Sequence, residues 1–186
     1  MKICSASVED ARTIAEIHVT TWQAAYAGIM PADFLAGLSV EKREAYWREE
    51  IPLGKQKLAI ARKDNKLVGW VSYGASRDDD AESGSAEIWA IYVSPKYWSS
   101  GVGHKLWLYA QMRLAKEGFR SVSLWVLAAN SRAIGFYRKA GFLPDPLGSK
   151  EFEIGGSPLQ EVRYVATLMG VAENAARQSR AAELEH

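Results

Sequence analysis

The chain has a single cysteine, Cys4, in 186 residues. An intrachain disulfide framework is excluded, and a reducing cytosol fits. No apolar run reaches the roughly 18–20 residues needed to span a bilayer. The opening Met1-Lys2-Ile3-Cys4-Ser5 lacks the long apolar stretch of a signal peptide. A cytoplasmic protein with no membrane partner is therefore expected. Charge of one sign is also missing: 23 Lys and Arg face 22 Asp and Glu. A nucleic-acid binder would normally show a basic excess, so no nucleic-acid partner is expected. The three histidines, His18, His104 and His186, have no metal-ligand spacing, and no metal is expected. Apolar and aromatic residues are plentiful. The chain is 48% hydrophobic, enough to bury one core, and its 7 Trp and 8 Tyr could line a pocket.

Read along its length, the chain starts with a strand at Lys2 to Ala6. Ser7 and Asp10 approach a capping box. The following helix places Ala11, Ile14, Ala15, His18, Trp22, Ala25 and Tyr26 at helical spacing and should end near Gly28. Short helices are expected from Pro31 and from Val40 to Glu50. The period then changes. Lys57 to Arg62 and Leu67 to Gly74 read as strands around an Asp64-Asn65 turn. Ser76 to Ser85 reads as an acidic, solvated loop. Glu87 to Val93 is a strand, Val102 to Glu117 a helix, and Ser121 to Ala128 a buried strand. A helix from Asn130 or Ser131 to Ala140 and a closing hairpin, Phe152 to Ile154 with Leu159 to Leu168, complete the order β-α-α-β-β-β-α-β-α-β-β. This is an α/β domain, α+β by some schemes. Its sheet should be mixed and mostly antiparallel, with helices on both faces. The domain should cover residues 1–169. Residues 170–186 read as a polar tail ending in a tag-like Leu184-Glu185-His186.

One strand-to-helix turn stands out: Trp98-Ser99-Ser100-Gly101-Val102-Gly103-His104-Lys105. Small residues let a ligand approach the backbone, and the helix start offers unpaired N–H groups and a positive dipole end. An anion such as a pyrophosphate fits there. The spacing is neither a Walker loop nor a dinucleotide fingerprint. A tight turn that merely needs glycine reads equally well from this stretch alone. A second feature, Asn130-Ser131-Arg132-Ala133-Ile134-Gly135-Phe136-Tyr137-Arg138-Lys139-Ala140-Gly141-Phe142, begins after the buried strand. Ala133, Phe136, Tyr137 and Ala140 fall at packing positions. Asn130 can cap the helix or meet a ligand.

Together these features resemble the GCN5-related N-acetyltransferases, the GNAT superfamily. That family carries Gln/Arg-x-x-Gly-x-Gly/Ala at its phosphate loop. Here Gly101 and Gly103 match, and Trp98 replaces the polar residue. Asn130-x-Arg-Ala-x-x-Phe-Tyr137-x-Lys-x-Gly141-Phe142 is similar to a later family motif, and Glu87 to Pro95 to its central strand. The resemblance spans roughly residues 2 to 168. It implies an enzyme that moves an acetyl group from acetyl-CoA, as co-substrate, to an amine. It implies cofactor contacts from Ile91, Tyr92, Val93, Trp98, Ser99, Ser100, Gly101, Val102, Gly103, His104, Lys105, Asn130, Ala133, Phe136 and Tyr137. Lys96, His104 or Lys105 would make up for the cation missing at Trp98.

The implied chemistry needs a base for an ammonium near pKa 10 and an acid for a thiolate near pKa 8.5. The resemblance gives Tyr137 as the acid. Glu87 is the expected base, because some family members hold a glutamate there. Strand alternation would set Glu87, Trp89, Ile91 and Val93 on one face and raise the Glu87 pKa among apolar neighbours. The alternative is that Glu87 starts a strand and faces solvent or pairs with Lys or Arg. Trp22, Tyr26 and Glu87 are the expected substrate residues. Trp22-x-x-x-Tyr26-x-Gly28-Ile29 is similar to a subset that includes PaiA-type polyamine acetyltransferases, which suggests a small cationic amine. A protein N-terminal acetyltransferase and an inactive acyl-CoA-binding sensor stay open beside it. The acceptor is then a small molecule or a peptide, and a homodimer is allowed by analogy alone.

Overall fold

A computed structural model describes residues 1–168. The expected tail and its boundary at residue 169 lie outside the described residues. The elements are β1 (Lys2–Ser5), α1 (Ala11–Ala25), α2 (Ala32–Ala36), α3 (Val40–Leu53), β2 (Lys57–Lys63), β3 (Lys66–Ala75), β4 (Ser85–Val93), α4 (Val102–Lys116), β5 (Ser121–Leu127), α5 (Ser131–Lys139), β6 (Leu143–Ile154) and β7 (Ser157–Thr167). The two short helices expected after α1 form separately, as the five-residue α2 and the longer α3. The seven strands form one sheet in the order β1-β2-β3-β4-β5-β7-β6. Only β4 and β5 run parallel; every other neighbour is antiparallel. Among the described residues no helix is long and apolar enough to cross a membrane.

Local chemistry explains the ends of these elements. Ser7 N–H donates to Asp10 Oδ2 at 3.0 Å, closing the capping box before α1. Asp64 and Asn65 both take positive φ, at 50° and 61°, the turn that joins β2 to β3 with the right twist. One strand is longer than expected. β6 starts at Leu143, and its pairing with β7 breaks between Pro144 and Ser149. Pro144, Pro146 and Gly148 hide a strand from any reading by periodicity.

Two cores sandwich the sheet. Ile14 and Ala15 of α1 and Trp47 of α3 pack on Ile60 and Trp70 at one face. Val102, Leu106 and Leu114 of α4 pack on Val71, Ile88 and Leu124 at the other, where Phe136 and Tyr137 of α5 join them. A smaller cluster of Leu35, Leu127 and Leu159 closes the α1 side, with Trp22 and Tyr26 against it.

Two irregularities of β4 position everything that follows. First, β4 pairs with β5 only over Ser85–Glu87 and Ser121–Ser123. Beyond that the two strands carry no pairing, while β5 stays on β7 as far as Leu127 opposite Glu161. A wedge-shaped gap opens toward Val93 and Leu127, and the β4 backbone on that side is left without a sheet partner. Second, Ser72 pairs with Ala90 but Tyr73 with Ile88, so Trp89 is an extra residue. A bulge inverts the alternation. Ile88, Ile91 and Val93 face the α4 core, whereas Ala90 and Tyr92 face the α1 side. Glu87, opposite Gly74, also faces the α1 side. The expectation that Glu87 shares a face with Ile91 and Val93 is therefore corrected.

Candidate active site

The turn into α4 is built for an anion. Gly101 is the N-cap residue at φ 81°, a conformation that a side chain disfavours. No side chain caps α4, so its first N–H groups and dipole point outward unclaimed. Ser99 is also left-handed, at φ 59°, and Ser100 Oγ donates to Tyr97 O at 2.6 Å. Trp98 has a specific role. Its Nε1 donates to Val93 O at 2.8 Å, tying the turn to the end of β4. The Arg132 guanidinium stacks 3.8 Å from the Trp98 ring centroid. Arg132, itself exposed, is thus a cation brought against the turn by stacking on Trp98. The sequence reading passed over Arg132, although it lies two residues after Asn130.

Asn130 was expected among the cofactor contacts. Its Oδ1 accepts from Ala133 N at 3.1 Å as the cap of α5, the other role open to it from the sequence. Ala133 and Phe136 pack into the α4-side core, and Phe136 lies against Gly103. Ile91 and Val93 bracket Tyr92 on the unpaired stretch of β4, where backbone groups have no partner strand. One of those groups is taken: Val93 O also accepts from Thr21 Oγ1 at 3.2 Å.

Glu87 is 2% exposed. Both its oxygens are bound by Arg77: the backbone N–H reaches Oε2 at 3.0 Å, Nε reaches Oε2 at 3.1 Å, and Nη2 meets Oε1. The same guanidinium lies 4.4 Å from the Trp89 ring centroid. An unpaired carboxylate among apolar neighbours was expected; the paired alternative is what forms. The loop carrying Arg77 is not merely solvated either. Asp78 accepts from Trp125 Nε1 and Lys150 Nζ, each at 3.0 Å, and from Arg163 Nη1 at 3.2 Å. Arg163 also binds Asp80 at 2.6 Å and Asp145 at 2.8 Å. Burial pushes the Asp78 carboxyl up, but the bonds from Lys150, Trp125 and Arg163 outweigh it and hold the group below its ordinary range. Gly148 gives Arg163 its room, since a Cβ there would lie 2.3 Å from that of Arg163. Replacing Arg163 with alanine leaves Asp78 with Lys150 and Trp125 alone. We expect a loss of about 3 kcal/mol, read as a lowered denaturation midpoint in urea.

Three α1 residues four apart, His18, Trp22 and Tyr26, line the α1 side of the wedge. The His18 ring is 5.0 Å from that of Tyr92, and Trp22 is 5.2 Å from Tyr26. Arg43 of α3 lies 5.7 Å from the Trp22 centroid. His18 is buried and neither ring nitrogen has a protein partner. Burial, and then the Arg43 charge, push its pKa down to about 3. Burial and then Tyr92 push the Tyr137 phenol above its ordinary value. Tyr26 is raised by burial and by Tyr92, Tyr137 and Glu161. Glu161 went unremarked in the sequence. The signal was a lone acid inside the apolar alternation Leu159-Gln160-Glu161-Val162.

A wedge in a mixed sheet, with an anion-holding turn at its open end and half-buried phenols beside it, is the geometry of an acyl-CoA-dependent transferase. The acetyltransferase (GNAT) family model matches residues 15–142. An N-acetyltransferase of Bacillus subtilis, YuaI, is 31% identical over 159 residues, covering 84% of this chain and 87% of that one. The spermidine N(1)-acetyltransferase of Thermoplasma acidophilum is 28% identical over 160 residues, covering 82% and 94%. The fold is also that of the PaiA N-acetyltransferase of Thermoplasma acidophilum, solved in complex with coenzyme A. That match has a TM-score of 0.72 at 23% identity and covers 89% of this chain and 98% of that one. The chain belongs to the acetyltransferase (GNAT) family. It is an N-acetyltransferase with acetyl-CoA as its co-substrate.

Proposed function

We propose that this chain acetylates a primary amine by direct attack on the thioester, with Tyr137 as the acid for the departing thiolate. The observation that carries the reading is the wedge between β4 and β5. The anion turn at Trp98–Gly103 follows the open end of β4, and Tyr92 on that strand stands near Tyr26 and Tyr137. The α4 N–H groups, with Arg132 on Trp98, are suited to the pyrophosphate. Unpaired backbone groups of β4 are suited to the pantetheine and the thioester oxygen. A phenol is protonated at neutral pH and can give its proton to the thiolate as it departs.

Glu87 serves differently from a free base. With both oxygens held by Arg77 it fixes the loop at the rim and neutralises the guanidinium. We assign it a positioning role. For the acceptor we propose a small cationic amine, taken up in the cytoplasm. Support comes from the spermidine N(1)-acetyltransferase relative and from the aromatic wall of Trp22 and Tyr26.

The test is thermal unfolding with acetyl-CoA, CoA and NAD, followed by thiol release on a panel of amines and an N-terminal peptide. Acetyl-CoA at a hundredfold its Kd should stabilise by about 2.7 kcal/mol, a shift of several degrees, and NAD should not. Thiol release on small amines is the expected second result. Release on the peptide alone would move the reading to protein N-termini, and binding with no turnover would make the chain a sensor.

A further inference from the structure

This inference rests on the amine-transfer reading above and names the group that takes the proton. Glu161 lies on β7 directly opposite Leu127, at the last paired position of β5. Leu127 and Leu159 belong to the cluster that holds Trp22 and Tyr26, so Glu161, two residues from Leu159, faces the same side of the sheet. That side is the one on which the bulge at Trp89 also sets Tyr92 and Glu87. Glu161 therefore stands across the open end of the wedge from Tyr92, beside the phenols.

The paired carboxylates around this rim, Glu87, Asp78, Asp80 and Asp145, are spent, and Asp79 is exposed. Glu87 is bound by Arg77. Asp78, Asp80 and Asp145 are bound by Arg163, and Asp78 also by Lys150. Glu161 is half-buried, and among the described residues its carboxylate makes no hydrogen bond and no ion pair. A half-buried anion on a substrate-facing wall with no protein partner calls for a cationic ligand.

We infer that the Glu161 carboxylate receives the acceptor's ammonium and takes the proton that frees its nitrogen for attack. The step balances. One ammonium proton passes to Glu161 and from there to solvent. The nitrogen lone pair forms the new N–C bond at the thioester carbon, and the C–S bond breaks. Tyr137 gives its proton to the sulfur, and the second proton lost by the nitrogen returns to Tyr137. The products are an N-acetyl amide and free CoA.

The charged and titratable groups that face Glu161 decide its proton affinity. They are Tyr26 from α1, Tyr92 and Glu87 from β4, Arg77 from the loop and Lys150 from β6. Burial raises the carboxyl, Glu87 adds to the rise, and Lys150 and Arg77 act against it; the rise prevails. That direction suits a base.

The experiment compares Glu161→Gln with the unmodified chain on two amines at pH 7. One is an aliphatic primary amine, charged at that pH; the other is an alkoxyamine, already neutral. For the aliphatic amine kcat/KM should fall about a hundredfold or more. For the alkoxyamine it should stay within about threefold, and acetyl-CoA affinity should not change. As pH rises and the aliphatic ammonium loses its proton to solvent unaided, the gap between the two proteins should close. Equal losses on both amines would mean a structural role and would overturn the inference, as would no loss on either. If the unmodified chain binds acetyl-CoA yet acetylates neither amine, the amine-transfer reading itself has failed, a separate result from the variant's.

Discussion

Replacing Tyr137 with phenylalanine is expected to lower kcat about a hundredfold while acetyl-CoA still binds with nearly unchanged affinity. The reasoning starts from packing. The Tyr137 ring lies 5.1 Å from Phe136 and 5.7 Å from Phe142, and phenylalanine preserves both contacts. What is removed is one hydroxyl at the wedge. A thiolate near pKa 8.5 must then leave without an adjacent acid. Because the interaction acts on the departing sulfur rather than on the bound thioester, kcat should fall and KM should stay. Steady-state thiol release with calorimetric titration of acetyl-CoA separates the two. A fall in affinity that matches the fall in kcat would instead make Tyr137 a packing residue.

Acid is expected to unfold this protein earlier than its ion pairs alone would require. His18 titrates near 6.5 when unfolded and at about 3 when folded. Between those values the unfolded chain binds a proton that the folded chain refuses, so stability rises with pH in that window and is lost as pH falls through it. At pH 4 the difference corresponds to about 3 kcal/mol. His18→Phe keeps an aromatic ring among Trp22, Trp70 and Tyr92 and removes the titration. The variant should match the parent near pH 7 and exceed it by about that amount at pH 4, read from urea midpoints at both values. A constant difference at the two pH values would show that His18 protonates without penalty.

Much of this was legible from the sequence because local chemistry dictates it. Ser7 with Asp10, Gly101 after Ser100, and Asn130 before α5 each announce an element's start through the backbone groups they satisfy or leave open. The succession of strands and helices along the chain followed from the same punctuation. What stayed hidden was long-range. Nothing near Glu87 in the chain points to Arg77, ten residues earlier across a loop. Nothing near Asp78 points to Arg163, eighty-five residues on. The bulge at Trp89 is a property of two strands in register, so a period-2 reading of β4 alone assigns the wrong face to every residue before it. Asn130 shows the converse. Its cap role is local and was available at once, beside the ligand contact that the family resemblance implies.

The ties from Asp78 and Asp80 to Asp145, Lys150 and Arg163 bear on how the enzyme could be recombined with its relatives. The loop after β3 and the β6–β7 hairpin are far apart in sequence yet share one set of charges. A chimera that imports the hairpin alone would set a foreign strand against Asp78 and strand its charge. One that imports the loop alone would leave Arg163 facing whatever replaced it. The two segments form a single transplantable cassette, and acceptor specificity should be transferable only when both are exchanged together.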